Sequence, residues 1–132
     1  MLIRSNGQLT TDRNGNPNSA LCLNSGFASV PPGVYFDPAT GGLTFMAWVK
    51  VNSYNNWQRI FDFGNGQNEN IILAFRDRDN KPLLGSNSGG LVRTDTFTTA
   101  INLNSWHHIA VSVTAGAASF YVDGVRAGSG SG

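Results

Sequence analysis

Side chains that could act as catalytic acids and bases are scarce in this sequence. Its only glutamate is Glu69. A glycosidase needs two carboxylates about 5–10 Å apart, one as acid and one as nucleophile or base. The closest carboxylates are Asp77 and Asp79, and they alternate with Arg76 and Arg78, which would neutralise them. The sequence therefore predicts an exposed turn with local ion pairs here, and no enzyme activity.

The same turn offers an alternative, a partial calcium site. Asp77, Asp79 and Asn80 carry oxygen ligands of the kind that calcium prefers. The glycine and the glutamate that complete an EF-hand loop do not follow them. The turn is favoured, and calcium is the one cofactor that the sequence leaves open.

The histidines and the cysteine do not form a recognisable site. His107 and His108 are neighbours, so on a strand they would point to opposite faces and could not hold one metal ion together. Cys22 is the single cysteine, which excludes an internal disulfide. A buried thiol acting as a small hydrophobic side chain is favoured over a nucleophile, because both histidines are distant in sequence.

Amide side chains gather in the loop of the segment QRIFDFGNGQNENIILAF, residues 58–75. Asn65, Gln67 and Asn68 lie between two apolar runs that read as paired strands. The loop glycines supply the positive φ that a hairpin turn needs, so a simple turn is the favoured interpretation. The alternative is a ligand site at the sheet edge, where amides bind sugar hydroxyls.

A second candidate surface is the segment NSYNNW, residues 52–57. Tyr54 and Trp57 could stack on a pyranose face, because aromatic rings supply a large contact area. Asn55 and Asn56 could then bind the sugar hydroxyls. The competing interpretation, which we favour for Trp57, is a core aromatic at the start of the next strand; for Tyr54 neither is favoured.

The composition limits the possible partners. The chain has 132 residues, 13% of them charged, 16 glycines and a net charge of +1. One domain is expected at this length, and nucleic acid or membrane insertion is not expected, because basic runs and long apolar runs are absent from the sequence. The start, MLIRSNGQL, lacks the apolar region of a signal peptide. We expect a single domain over residues 1–128 and a flexible Gly/Ser tail over residues 129–132.

Alternating apolar and polar residues, rather than helical periodicity, run through the chain. They predict about nine short strands separated by turns, which is typical of an antiparallel two-sheet sandwich or jelly roll. Asp123-Gly124 is a type I′ turn signal between the last two strands. The predicted strands are 20–23, 27–30, 43–51, 59–63, 70–75, 81–85, 90–94, 106–114 and the 119–128 hairpin.

The strand at residues 43–51 has the clearest pattern. Its odd-numbered residues are all apolar and should face the main core. Its even-numbered residues are mixed, and we expect Met46 and Trp48 to be covered by another layer or a loop rather than to face a ligand.

Six segments in this order resemble the laminin-G-like, concanavalin A-like jelly-roll domain of many bacterial and phage surface proteins. They are LTTDRNGNPNSALCLNSGFASVP, LTFMAWVK, WQRIFDFGNG, ENIILAF, NSWHHIAVSV and FYVDGVRAG. The resemblance covers roughly residues 7–128. It implies two antiparallel sheets and a role in binding or adhesion, often to glycans or protein surfaces and sometimes with calcium, outside the cell or on the surface of a cell or virion as part of a larger protein. Hydrolases of this fold carry glutamates at alternate positions on one strand, and this chain has no such pattern.

The sequence also departs from the family pattern. Such domains usually begin with a strand before TDRNGNPN and end with one or two strands after the YVDGV hairpin. We expect an incomplete sheet here, and an unpaired position in a sheet exposes backbone donors and apolar side chains. A strand from a partner chain or from another copy in a homo-oligomer would satisfy both. An assembly module is therefore the alternative to a glycan-binding or surface-binding module.

Overall fold

The computed structural model describes residues 2–4, 6–33, 41–64, 66, 68–76, 79–114 and 116–130, and side chains outside 2–4 and 91–93. Within this described part the chain forms strands, turns and no helix, so no helix that could span a membrane is present there. The chain divides into two compact units, residues 1–35 and 36–132, which are described separately. Asn65, Gln67 and Asp77, three of the candidate site residues, lie outside the described residues.

The first unit contains two antiparallel strand pairs. β1 (Leu2–Arg4) pairs with β4 (Phe27–Ser29), and β2 (Gly7–Thr10) pairs with β3 (Ala20–Leu23). The sequence predicts β3 and β4 but neither β1 nor β2, because their polar surroundings hide a short alternation. The expectation that the chain lacks a strand ahead of the TDRNGNPN segment is therefore wrong.

A polar loop joins β2 to β3 and is organised by one carboxylate. Asp12 Oδ1 accepts hydrogen bonds from the backbone N–H groups of Asn14 and Asn16, at 2.8 and 2.9 Å. The Asn16 side-chain amide donates to Asp12 Oδ2 at 3.0 Å, and these hydrogen bonds lower the pKa of Asp12. Cys22, on β3, is exposed, so its predicted burial is wrong.

The second unit consists of two four-stranded antiparallel sheets. One, the β5 sheet, has the order β12-β11-β10-β5; the other, the β7 sheet, has the order β6-β7-β8-β9. Their strands are β5 (Gly42–Lys50), β6 (Gln58–Gly64), β7 (Glu69–Phe75), β8 (Pro82–Ser88), β9 (Leu91–Thr96), β10 (Trp106–Thr114), β11 (Ala117–Val122) and β12 (Val125–Gly130).

The core of this unit lies between the two sheets. Both contribute fully buried aromatic residues, such as Phe75 from β7 and Phe120 from β11. Phe120 stacks on Phe97, with 4.6 Å between the ring centroids, and Phe45 packs edge-on against Phe61 at 5.1 Å. The alternation read from the sequence is confirmed, because the apolar faces of the strands meet in one shared core.

Two details of the β5 sheet differ from the sequence expectations. Met46 and Trp48 are not covered: 63% and 45% of their surfaces are exposed on the outer face of the sheet. Periodicity separates the two faces of a strand, but it does not reveal whether a second layer covers the outer one. Ser129 and Gly130, expected to begin a flexible tail, are instead the last residues of β12.

The hairpin turn between β11 and β12 agrees with its sequence signal. Asp123 and Gly124 have φ values of 51° and 79°, and positive φ at both central residues defines the type I′ turn. The two sheets, antiparallel throughout and packed around one core, confirm the predicted all-β sandwich.

Candidate functional site

The strands of the second unit carry two different sets of connections. At the loop end, β5 leads into β6 through residues 51–57, β7 into β8 through 76–81, β9 into β10 through 97–105, and β11 into β12 through Asp123–Gly124. At the turn end, β6 leads into β7, β8 into β9 and β10 into β11 through short connections. The strand register fixes this division, because Gln58 pairs with Phe75, Phe75 with Pro82, and Lys50 with Trp106.

This division separates the predicted site residues into two groups. The loop end holds Tyr54, Asn55, Asn56, Trp57, Asp79 and Asn80, whereas Asn68 lies at the turn end. The seven residues of β6 separate the two ends by about 20 Å at roughly 3.3 Å per residue. Asn68 and the loop-end residues therefore cannot contact a single sugar ring together, and among the described site residues the structure brings together the first group only.

Ile101 ties the loop end to the core. Its side chain is fully buried, its backbone N–H donates to the Asn80 carbonyl at 2.9 Å, and its carbonyl accepts from the Tyr54 hydroxyl. The next hydrogen bond along this loop runs from the Asn104 N–H to the Val51 carbonyl at 2.8 Å. Three loops from both sheets are thus held together by the Tyr54 hydroxyl and by backbone groups.

Tyr54 has a structural task in this arrangement. Its ring lies 5.6 Å from the Phe75 ring, centroid to centroid, and its hydroxyl is hydrogen-bonded to Ile101. Both its apolar body and its polar tip are therefore engaged within the protein. Stacking of Tyr54 on a sugar stays a prediction, and the surface proposed below does not use it.

Trp57 differs sharply from Tyr54. It holds a left-handed backbone conformation, φ 57°, and 40% of its surface is exposed. Positive φ in a bulky residue is uncommon and costs roughly 1–2 kcal/mol. The interpretation of Trp57 as a core aromatic is therefore wrong. The backbone turn that presents it is closed by a hydrogen bond from the Gln58 N–H to the Asn55 carbonyl at 3.2 Å.

The two asparagines before Trp57 are exposed on the same loop. The Asn55 side-chain amide donates to Ser53 Oγ at 3.0 Å, and the Asn55 backbone N–H donates to Gln58 Oε1 at 3.1 Å. These bonds brace the turn that carries Trp57. The loop end therefore presents an exposed aromatic ring on the same loop as two exposed asparagines.

The predicted calcium ligands are only partly described. The Asp79 carboxylate accepts a hydrogen bond from the Lys81 N–H at 3.3 Å, and the Asn80 carbonyl is used by Ile101. Calcium takes six to eight oxygen ligands, and among the described residues no group of three or more acidic, histidine or cysteine side chains can hold a metal ion. Calcium at this loop stays a prediction, and the function below is argued without it.

A contact between a histidine and an aspartate was missed by the sequence reasoning. His107 Nδ1 lies 2.8 Å from Asp123 Oδ2, and the His108 N–H donates to Asp123 Oδ1 at 2.8 Å. The hydrogen bond from His107 is the main cause that lowers the pKa of Asp123, followed among the lowering causes by that from the His108 backbone, while desolvation opposes them. The only sequence signal was the Asp123-Gly124 turn.

The two histidines point to opposite faces, as predicted. His107 contacts Asp123, and His108 packs edge-on against Trp48 on the outer face, with 5.3 Å between the ring centroids. His107 Nε2 is buried and has no hydrogen-bond partner among the described residues. Through Asp123, the two histidines attach the β11–β12 turn to the start of β10.

These features define an all-β protein of the jelly-roll sandwich class, with longer loops gathered at one end of the sandwich. The chain belongs to the concanavalin A-like lectin/glucanase superfamily, since the family model of the Laminin_G_3 domain matches residues 23–132. This match confirms the family inferred from the six sequence segments. No curated protein matches the chain at a significant level.

Proposed function

We propose that this chain is a non-catalytic binding module that recognises glycans through the loop end, with the Trp57 ring as the face on which a sugar stacks. The observation that carries this proposal is the exposed Trp57 in a left-handed conformation. Strain held at a well-fixed exposed position is often related to function. An exposed tryptophan also offers the large flat apolar surface that binds the C–H face of a pyranose.

The surroundings of Trp57 support a sugar rather than an apolar ligand. Exposed Asn55 and Asn56 precede it, and amide groups donate and accept hydrogen bonds at once, which matches the paired donors and acceptors of sugar hydroxyls. The loop is braced through Gln58 and Ser53, so little conformational entropy has to be lost on binding. Many members of the superfamily bind carbohydrates, which favours the same ligand class.

The positions and contacts of the carboxylates support a module that does not hydrolyse its ligand. The single glutamate, Glu69, begins β7 at the turn end. At the loop end, the Asp79 carboxylate accepts a hydrogen bond from the Lys81 backbone N–H, and the Asp123 carboxylate contacts the His107 ring. Acid–base hydrolysis needs one protonated and one ionised carboxyl group across a bound sugar. We propose accordingly a module that binds without cleaving, outside the cell or on a cell or virion surface, within a larger protein.

A glycan array followed by titration calorimetry of each hit tests this function. Trp57→Ala is expected to weaken binding about tenfold or more, the equivalent of about 1.4 kcal/mol, while the fold remains intact by circular dichroism. Trp48→Ala is the matched control, because Trp48 has a similar exposure but lies on the outer sheet face. An array without hits, or unchanged binding by Trp57→Ala, would contradict the proposal. A parallel array with a chelator tests the calcium prediction.

We propose as a second function that the β5 sheet accepts a strand from a partner chain. The observation that favours it is β5, a nine-residue strand with β10 as its only sheet partner among the described residues. Edge strands of this kind are templates for pairing. Selection of displayed peptides, read out by hydrogen exchange, tests it. Selected peptides should protect the β5 amides, and their failure to do so would count against strand acceptance.

A further inference from the structure

The polar loop between β2 and β3 contains the dipeptide Asn14-Gly15. The sequence has three Asn-Gly pairs, at residues 6–7, 14–15 and 65–66, and the pair at 14–15 lies in a segment, residues 12–16, that the structure describes in full. Glycine lacks a Cβ atom, so the side chain before it can approach its backbone nitrogen closely. An asparagine amide therefore meets a backbone nitrogen with little steric hindrance at this dipeptide.

The reaction open to such a pair is deamidation. The Gly15 nitrogen loses its proton to solvent and attacks Cγ, the side-chain carbonyl carbon of Asn14. A C–N bond forms, the bond from Cγ to the side-chain –NH2 breaks, and ammonia leaves with a proton taken from solvent. Water then opens the five-membered succinimide ring and leaves aspartate or isoaspartate at position 14. The net reaction converts an amide and water into a carboxylic acid and ammonia, and it needs no oxidant or reductant.

The side chain of Asn14 is available for this reaction. It is exposed, and among the described residues its amide group makes no hydrogen bond, whereas the Asn16 amide donates to Asp12 Oδ2 at 3.0 Å. Gly15 has a φ of 87°, and a Cβ atom at this position would meet nothing within 4 Å. The space around the Gly15 nitrogen is therefore open, and no packing contact holds the Asn14 amide away from it.

The backbone of the same loop opposes the reaction. The Gly15 N–H donates to the Asp12 carbonyl at 3.2 Å, and the Asn14 N–H donates to Asp12 Oδ1 at 2.8 Å. A donating N–H group loses its proton less readily, and the negative charge of a nearby carboxylate disfavours an amide anion. Ring closure also fixes the torsion about the Cα–C bond of Asn14, which in the folded loop is set by the turn that these bonds close.

Asp12 is the residue on which the closed loop depends. Its backbone N–H donates to the Asn16 carbonyl at 3.0 Å, and its carboxylate also accepts hydrogen bonds from the Asn16 backbone N–H and side chain, at 2.9 and 3.0 Å. Hydrogen bonds to an ionised carboxylate are stronger than those between neutral groups. The hydrogen bond from the Asn16 side chain is the main cause that lowers the pKa of Asp12, so this carboxylate is ionised at neutral pH.

We propose that Asn14 is a deamidation site that the Asp12 carboxylate protects, so that modification of Asn14 proceeds from the open form of this loop. In the closed loop the Gly15 N–H is held as a donor, and opening of the loop releases it. The rate of modification is then the intrinsic rate of a free Asn-Gly pair multiplied by the fraction of time for which the loop is open. Asn14 thus records loop opening as a covalent change.

The product cannot close the loop in the same way. Both products place a carboxylate at position 14, whose backbone N–H lies 2.8 Å from Asp12 Oδ1, and two like charges this close repel each other. Isoaspartate also brings the side-chain methylene into the main chain, which moves the Gly15 N–H away from the Asp12 carbonyl. The Ser19 N–H donates to the Thr10 carbonyl at 3.0 Å where this loop joins β2 to β3, and hydrogen exchange of the Ser19 amide should be faster in the modified protein.

A series of variants at Asp12 tests the protection. The full-length wild type, Asp12→Asn and Asp12→Ala are incubated at pH 8 and 37 °C, and peptide mapping by mass spectrometry measures the fraction of Asn14 that is converted. Asp12→Asn keeps an oxygen acceptor and removes the charge, whereas Asp12→Ala removes both. Conversion of Asn14 should be about twofold faster in Asp12→Asn and about 5- to 10-fold faster in Asp12→Ala. Equal rates in the three proteins would overturn the proposal.

The Asn65–Gly66 pair of the second unit is a reference within each sample. The Asp12 variants should leave the rate at Asn65 unchanged, because it lies in a different unit. In concentrated urea the rates at Asn14 and Asn65 should be similar, and the Asp12 variants should match the wild type, because no loop is closed there. A variant that accelerates both sites equally in buffer has lost its fold as a whole, and this result would contradict specific protection by the loop.

Two substitutions of Asn14 complete the test. Asn14→Gln is the chemical control, because its longer side chain would have to close a six-membered ring, and no modification is expected at position 14. Asn14→Asp carries the product's charge without the added methylene, so hydrogen exchange at Ser19 separates the two effects. Wild-type Asn14 that reacts as fast in buffer as in urea would show that the loop gives no protection. An Asn14 that stays unmodified even in urea would show that it is not a deamidation site.

Discussion

The two ends of the second unit are built from the same strands but are held together in different ways. At the loop end, Tyr54 and Asn104 donate hydrogen bonds to the carbonyls of Ile101 and Val51, and the Ile101 N–H donates to the Asn80 carbonyl. At the turn end, the connections are short and rich in glycine with positive φ, namely Gly66, Gly89, Gly90 and Gly116. The loop end is therefore stabilised by long-range contacts, and the turn end by local backbone geometry.

This difference indicates where a binding site can be built. A loop tied to a core residue can present a side chain in a fixed orientation, as the 51–57 loop presents Trp57. A tight turn contains few side chains that could contact a ligand, and its glycines have no side chain. Function on a rigid scaffold usually lies in such loops, which supports the proposal that glycans bind at the loop end.

The largest expected effect comes from removing the side chain that anchors the loop end. Ile101→Ala should destabilise the protein by about 2–5 kcal/mol, because it leaves a cavity in a fully buried site. Leu103→Ala, two residues further and 37% exposed, is the matched control and should cost less than about 1 kcal/mol. Urea denaturation measures both. Similar losses in the two variants would show that Ile101 does not anchor the loops.

The turn end should respond to backbone crowding instead. At Gly64 a Cβ atom would collide with the Glu69 carbonyl oxygen and lie 2.5 Å from Asn70 Cβ. Gly64→Ala should therefore cost about 1–3 kcal/mol. At Gly66 a Cβ atom meets nothing within 4 Å, but φ is 93°, so Gly66→Ala should cost only the conformational strain, about 1 kcal/mol. Thermal denaturation would contradict this account if Gly66→Ala were the more harmful of the two.

Much of the sheet structure was readable from the sequence because its signals are local. The alternation of β5, the 106–114 strand and the Asp123-Gly124 turn depend on neighbouring residues only, and all three are confirmed. The faces of β5 were also assigned correctly. The exposure of Met46 and Trp48 was not, since it depends on whether distant parts of the chain cover that face.

The candidate site was less readable for the same reason. The segment 52–57 was recognised, but the sequence could not show that Tyr54 bonds Ile101, which is 47 residues away. Nor could it show that Asn68 lies at the opposite end from Trp57, because that follows from the pairing of β6 and β7. Trp57 was favoured as a core residue, since a left-handed backbone at a tryptophan has no sequence signal.

A smaller effect is expected from the Tyr54 hydroxyl. Tyr54→Phe keeps the contact with the Phe75 ring but removes the hydrogen bond to the Ile101 carbonyl, and should cost about 0.5–1.5 kcal/mol. If the loop end acts as one unit, the same variant should also weaken glycan binding through Trp57, although Tyr54 does not belong to the proposed surface. Unchanged stability would show that the three loops are not coupled through this bond.

The smallest expected effect concerns Asp123 and its dependence on pH. The hydrogen bond from His107 lowers the pKa of Asp123 below its usual value of 3.8. A carboxylate with a lowered pKa in the folded state stabilises the protein above its unfolded pKa, and this contribution is lost as the pH falls through the folded pKa. Because the side chain is about half exposed, the contribution should be below about 1 kcal/mol.

Asp123→Asn isolates this charge, because Asn-Gly suits the type I′ turn at least as well as Asp-Gly. The wild type should be more stable than the variant at pH 6, and the difference should shrink as the pH falls below about 4. The lowered pKa of Asp12 in the first unit is common to both proteins and cancels in the comparison. Urea denaturation at a series of pH values measures the difference. If it is constant down to pH 2, the carboxylate charge is not what binds the β11–β12 turn to β10, and the remaining bond, from the Asp123 N–H to the His108 carbonyl at 2.8 Å, is sufficient to hold this part of the loop end.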